Sequence, residues 1–122
     1  MLELRPEQLT ILRLPHAERF RRDLVEHLQR FFAEETKQLG PSQLPAWVSR
    51  VLTRGRVHGF RKGPDLCMFA SLAMIFGEQF DTEPWALEVL RSARYQGDPS
   101  WRMRRLYLQG MRQLEDDDDD QG

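Results

Sequence analysis

Proline and glycine interrupt this 122-residue chain at intervals that suit helices and leave no room for long uninterrupted segments. The breaks lie at Gly40-Pro41, Gly63-Pro64, Gly77, Pro84 and Gly97-Asp98-Pro99. A glycine after a helix and a proline in the first turn of the next are the usual punctuation of helical proteins. Between the breaks apolar residues recur every three or four positions, and no stretch alternates with a period of two. The sequence therefore predicts an all-α single domain, a compact antiparallel array of five or six helices.

Three of these helices have distinct apolar patterns. Beyond a short opening turn at Pro6, the first runs from Pro15 to about Leu39, and its apolar face is predicted to hold Phe20, Leu24, Val25, Leu28, Phe31 and Phe32. The segment after Asp65 is apolar nearly all round, as expected of a central, buried helix. The last helix is predicted to carry the apolar residues Trp101, Leu106, Leu108 and Leu114, with Arg102, Arg104, Arg105 and Arg112 on its outer side.

Charge is distributed unevenly along the chain. Residues 115–120 hold six of the nineteen acids, which leaves thirteen acids against eighteen bases in residues 1–114. A terminal run of like charges repels itself and stays solvated. We therefore expect a helical domain over 1–114 and a disordered acidic tail over 115–122. The tail serves solubility, lies on a basic face or contacts a partner.

The sequence offers little catalytic chemistry. Cys67 lies in the most apolar segment, where a thiol behaves as a small hydrophobic group with a raised pKa. His16, His27 and His58 lack the spacing of a metal site, and neither a phosphate-binding loop nor a nucleophile elbow is present. His27 is predicted to be exposed, and His58 to cap or pack at a helix end. We expect no enzyme activity, no cofactor and no metal.

Composition also bears on partners and location. The basic excess of residues 1–114 is only five and no reading helix is recognisable, so nucleic-acid binding is not expected. The longest nearly uncharged apolar stretch, 66–77, is too short to span a bilayer, and the first residues lack the basic start and apolar run of a signal peptide. The sequence predicts a cytoplasmic protein, and its one cysteine fits a reducing compartment.

Binding to another protein fits the remaining features. Aromatic and arginine side chains are enriched at the centres of protein interfaces. Those that flank breaks or Arg-rich turns are the candidates for exposure, whereas Phe20, Trp47 and Phe69 are assigned to the core. The predicted partner-binding residues are Trp85, Tyr95, Trp101, Arg102, Arg105 and Tyr107.

The second half of the chain carries a pattern of helix junctions: an aromatic beside glycine, an acid before an aliphatic residue, then Gly-x-x-Phe-Asp before proline. The residues are Val51, Arg54, Gly55, His58-Gly59-Phe60, Asp65-Leu66, Phe69, Leu72, Gly77, Phe80-Asp81, Pro84, Leu90 and Arg105-Leu106, with Arg5-Pro6-Glu7-Gln8-Leu9 at the start. This pattern resembles small helical accessory proteins encoded in bacterial type VI secretion effector clusters, next to adaptor chaperones.

The resemblance implies an accessory role in effector handling, as an adaptor or co-chaperone for a secreted effector. The alternative is an immunity protein that neutralises a cognate toxin, with the acidic terminus mimicking nucleic acid if the toxin is a nuclease. An enzyme is the more distant alternative, and it requires a pocket that combines His58, Cys67 or a carboxylate with a strongly shifted pKa.

Overall fold

The computed structural model describes residues 17–92, 94 and 96–121, and in this part of the chain it is all α-helical, as predicted. The helices are α1 (Ala17–Phe31), α2 (Ala33–Leu39), α3 (Leu44–Val57), α4 (Gly63–Phe76), α5 (Pro84–Leu90) and α6 (Pro99–Gln121). A 3-10 turn, Phe80–Thr82, precedes α5. No strand occurs among the described residues. The opening turn predicted at Pro6 lies outside them.

Helix α4 lies at the centre of the domain and contacts α1, α3, α6 and the 3-10 turn. Its side chains Leu66, Phe69 and Leu72 are fully buried, together with residues from every neighbouring helix. This burial on all sides explains why α4 is apolar around its whole circumference. The prediction of a central, buried helix is confirmed.

The first long helix of the prediction is in fact two helices, α1 and α2, which meet at Phe32. The backbone of Phe32 leaves the helical region, with φ −131° and ψ 53°. The buried Thr36 hydroxyl donates to the Phe32 carbonyl at 2.9 Å, and the Thr36 amide donates to the same oxygen. These bonds start a new helical turn and leave Phe31 39% exposed, so its predicted place in the core is wrong.

The last helix, α6, is rotated relative to the prediction. Met103 and Leu106 are fully buried, whereas Trp101, Leu108 and Leu114 are 45%, 49% and 36% exposed. Gly110 accounts for this orientation, because a Cβ there would lie 2.8 Å from Leu72 Cδ2 on α4. Since only a residue without a side chain allows so close an approach, α6 turns Gly110 and the side chains in line with it toward α4.

In the structure α6 continues through the acidic run to Gln121. The run follows several helical turns that are already formed, so its backbone needs no new nucleation. The predicted domain boundary at residue 114 is therefore not marked by a change in secondary structure.

Candidate protein-binding surface

One side of α6 faces solvent and carries a stripe of apolar and charged residues, which we call the α6 face. Its members are Trp101, Arg104, Leu108, Met111 and Glu115. Their spacing of three and four residues keeps them on one side of a helix. Trp101 and Leu108 are each close to half exposed, and Met111 is half-buried because it also packs against the core. Helix α6 thus carries apolar residues on two opposite sides, one packed into the domain and the other in contact with solvent.

Arginines surround the apolar part of the α6 face. Arg104 and Arg112 are exposed and Arg105 is half-buried. Arg112 donates a long hydrogen bond of 3.4 Å to Gln109 Oε1, one turn away. Tryptophan and arginine are the residue types enriched at interface hot spots, and the positive charge favours an acidic partner.

The described residues that were predicted to bind a partner lie on α6 and on α5. Trp101 and Arg105 lie on or beside the α6 face, and Tyr107 is half-buried on the flank of the helix, against the core. Trp85, on α5, is half-buried with its ring centroid 5.1 Å from that of Phe76. Tyr95 lies outside the described residues.

Arg102 is the clear correction among these residues, because its side chain is only 5% exposed. Its guanidinium donates to the carbonyl of His58 and, at 2.9 Å, to Gln96 Oε1. It also lies over the Phe60 ring, 4.9 Å from the centroid. Burial lowers the pKa of Arg102 from its ordinary value. Arg102 is therefore an internal cross-link between α6 and the end of α3, and it is not a contact for a partner.

The turn that receives Arg102 depends on glycine. Gly59 has φ +95°, a backbone conformation that other residues adopt only with strain. A Cβ at this position would also lie 2.9 Å from Arg102 Nη2. Gly59 therefore allows the chain to turn after α3 and leaves room for the guanidinium.

A second cluster of charged residues joins α3 to the 3-10 turn. Asp81 is buried, and its Oδ1 accepts hydrogen bonds from Arg54 Nε at 3.2 Å and Nη2 at 2.5 Å. Its Oδ2 lies 2.8 Å from His58 Nε2. Arg50, one turn before Arg54, pairs with Glu78 through two bonds of 2.9 and 3.0 Å. Because Arg50, Arg54 and His58 are four residues apart, they form one ridge along α3.

The electrostatics of this cluster indicate a structural role. Burial acts to raise the pKa of Asp81, but hydrogen bonds from Arg54 and His58 outweigh it, so the pKa lies below its ordinary value. The carboxylate is thus held ionised between two donors. His58 is also the C-cap residue of α3, as the sequence predicted for a helix end. Its ring completes the cross-link to Asp81.

The other candidate reactive groups are buried. Burial raises the pKa of the Cys67 thiol to about 12, and Cys67 is fully enclosed in α4, as predicted. His27 is buried, contrary to the prediction of an exposed residue, and its ring packs against Phe31 with centroids 4.7 Å apart. Burial and the nearby Arg30 charge lower the pKa of His27. Its place seven residues after Phe20 is the sequence signal that puts it on the inner face of α1.

A groove of about 510 Å³ lies between α1 and α3. It is lined by Glu18, Arg21, Arg22, Val25, Glu26, Gln29, Pro45 and Ser49. Two acids and two bases line it, so its charges balance. The described part of the chain gathers no group of three or more histidine, cysteine or carboxylate side chains able to hold a metal ion. None of its helices is both long and apolar enough to cross a lipid bilayer.

Comparison with known proteins gave no match to a protein-family model, to a curated protein or to a solved structure.

Proposed function

We propose that this chain is a non-enzymatic, protein-binding accessory factor whose partner packs on the α6 face. The observation that carries the proposal is the exposure of Trp101 and Leu108 on the side of α6 that points away from the core. Burying such side chains against a partner removes apolar surface from water, at about 25 cal/mol per Å². The exposed apolar residues thus supply the driving force for association.

The arginines define the chemistry of the partner. Arg104, Arg105 and Arg112 lie beside the apolar stripe, so the complementary surface carries carboxylates around an apolar centre. An amphipathic helix with an acidic border has this composition and would lie along α6 through contacts three and four residues apart. Arg102 and Trp85 contribute indirectly, since they anchor the helix and pack beneath it.

The biological setting of the proposal comes from the resemblance to accessory proteins of type VI secretion effector clusters. An adaptor or co-chaperone of this kind acts in the cytoplasm, where it binds one state of the effector before secretion. Binding one state shifts the population of the effector toward it, which raises the soluble fraction. No bond is made or broken in this role.

The test is co-expression with the effector encoded beside this chain, followed by measurement of effector solubility and of binding by titration calorimetry. Leu108→Glu places a charge in the centre of the α6 face and is expected to reduce binding and solubilisation strongly. Val57→Glu is the matched control, because Val57 is also an exposed apolar residue, 80% accessible, at the end of α3. The control variant is expected to behave as wild type.

Several outcomes would contradict this function. Equal loss of binding in both variants would place the interface elsewhere or show a general effect of the added charge. Rescue of growth from a neighbouring toxin, without any effect on its solubility or secretion, would instead favour the immunity protein. Turnover of a small substrate by the purified chain would indicate that the protein is an enzyme.

A further inference from the structure

We infer that the α6 face pairs with the same face of a second copy of this chain, in antiparallel orientation, when no other partner is bound. The inference starts from the distribution of charge along α6. Arg104, Arg105 and Arg112 lie along its first and middle turns, whereas Glu115 and the aspartates at 116–120 follow in its last turns. The helix is therefore basic up to Arg112 and acidic from Glu115 onward.

The acidic residues lie at the C-terminal end of the helix, where negative charge is less favourable than at the N-terminal end. The carbonyl groups at the C-terminus of a helix carry partial negative charge, so carboxylates are destabilising there. A second α6 in antiparallel orientation brings its own arginines and its positive N-terminal end to this region. A parallel orientation would bring acid against acid and arginine against arginine. Charge complementarity thus selects a second copy in the antiparallel orientation.

The spacing of the α6 face fits such a pair. Trp101, Arg104, Leu108, Met111 and Glu115 follow the alternating three-and-four spacing of helices that pack side by side. With the two-fold axis placed between Leu108 and Met111, Leu108 of one copy faces Met111 of the other. In the same register, Arg104 faces Glu115, and the symmetry repeats each contact. Arg104 and Glu115 are both exposed in the single chain.

The inferred dimer rests on the proposed function, because the second copy and the partner use the same α6 face. The second copy covers Leu108, one of the two exposed apolar residues on which the partner-binding proposal depends. An effector segment must then displace one copy, so the dimer protects the apolar surface in the free protein and raises the effector concentration needed for half-saturation.

The experiment measures the mass of the full chain by light scattering across a concentration series. The wild type is expected to change from 14.5 kDa to twice that mass as its concentration rises. Raising the salt concentration from about 0.05 M to about 0.5 M should weaken the dimer, because salt screens exposed charges. Arg104→Glu alone and Glu115→Arg alone should each raise the dissociation constant about tenfold, since two contacts per dimer become repulsive.

The double variant, Arg104→Glu with Glu115→Arg, provides the decisive measurement, because it restores opposite charges across the antiparallel pair. It is expected to dimerise like wild type, and a mixture of the two single variants should form heterodimers. Arg61→Glu is the control, an exposed arginine outside α6. Circular dichroism establishes that every variant retains its helices.

A wild type that stays monomeric at all concentrations would overturn the inference, as would a double variant no better than the singles. These failures are distinct from failure of the proposed function. A monomeric wild type that binds the effector through Leu108 supports the function without the dimer. A dimer that never binds an effector supports the pairing without the function.

Discussion

Asp81→Asn removes the negative charge from the cluster that joins α3 to the 3-10 turn, with almost no change in side-chain size. The variant leaves Arg54 and His58 facing an amide, which accepts hydrogen bonds at only one of its two terminal atoms. Asp81 itself is buried, so water cannot readily replace the lost interactions. The folded protein should therefore lose stability.

The size of the loss follows from the exposure of the partners. Breaking a fully buried ion pair costs about 3–5 kcal/mol, whereas an exposed pair contributes about 0–1 kcal/mol. The side chains of Arg54 and His58 are 32% and 25% exposed, so water partly solvates them after the substitution. We expect an intermediate loss of about 2 kcal/mol in the free energy of unfolding. With an unfolding entropy of roughly 2.1 cal/mol/K per residue, this loss lowers the melting temperature by about 8 °C.

Urea unfolding at neutral pH, followed by circular dichroism, measures this difference. Glu88→Gln is the control, because Glu88 is an exposed carboxylate on α5. Wild type and the control should have the same midpoint, and Asp81→Asn should have a lower one at an unchanged slope. A midpoint equal to that of the control would refute the assigned role of the cluster.

The same pair of proteins tests the charge state of Asp81. Its pKa is lower in the folded state than the ordinary value of about 3.9, so unfolding at acid pH takes up a proton. The stabilisation by the carboxylate is complete above about pH 5 and is lost as the pH falls through the folded-state pKa. The difference between wild type and Asp81→Asn should therefore shrink below about pH 4. A difference that stays constant down to about pH 2 contradicts this mechanism.

Three further predictions concern the interior. Gly110→Ala should lower the free energy of unfolding by about 1 kcal/mol despite the better helix propensity of alanine, because the new Cβ would lie 2.8 Å from Leu72. Thermal melts measure this loss, and Gly97→Ala is the control because its Cβ meets no atom within 4 Å. Cys67 should resist a thiol reagent at about pH 8 in the native protein, because its pKa is raised to about 12, and it should react at once in urea. Equal rates in the two conditions would show that the thiol is accessible in the native protein. Arg102→Lys should melt nearly as low as Arg102→Ala, since one ammonium group cannot replace the forked contacts and the ring stacking; a melting temperature equal to wild type would contradict the cross-link.

The fold could be predicted because its signals are local. Breaks such as Gly40 and Gly77 end helices in the structure where the sequence places them, and both have positive φ. Helix α4 is apolar around its whole circumference, and the residue composition of the segment is enough to predict this. Phe32 shows the limit of this reasoning, since the chain bends there without proline or glycine, through bonds to Thr36 that no propensity indicates.

The candidate surface was harder to predict, because burial on α6 is decided by distant partners. Arg102 looks like a surface residue in sequence, and its contact at His58 lies 44 positions away. Leu108 looks like a core residue, yet the approach of Gly110 to α4 turns it toward solvent. Two apolar stripes of similar strength compete on this helix, and only tertiary packing selects between them. Trp101 was predicted to be exposed because it flanks a break, and it is 45% exposed.

The close approach at Gly110 has an evolutionary consequence. A methyl group at this position would lie 2.8 Å from Leu72 Cδ2 and 3.2 Å from Phe76 Cε2, so a smaller side chain at either position on α4 would give it space. In diverging sequences of this fold, gain of volume at 110 should therefore occur together with loss of volume at 72 or 76. Such paired changes in related sequences would reflect the contact between α4 and α6.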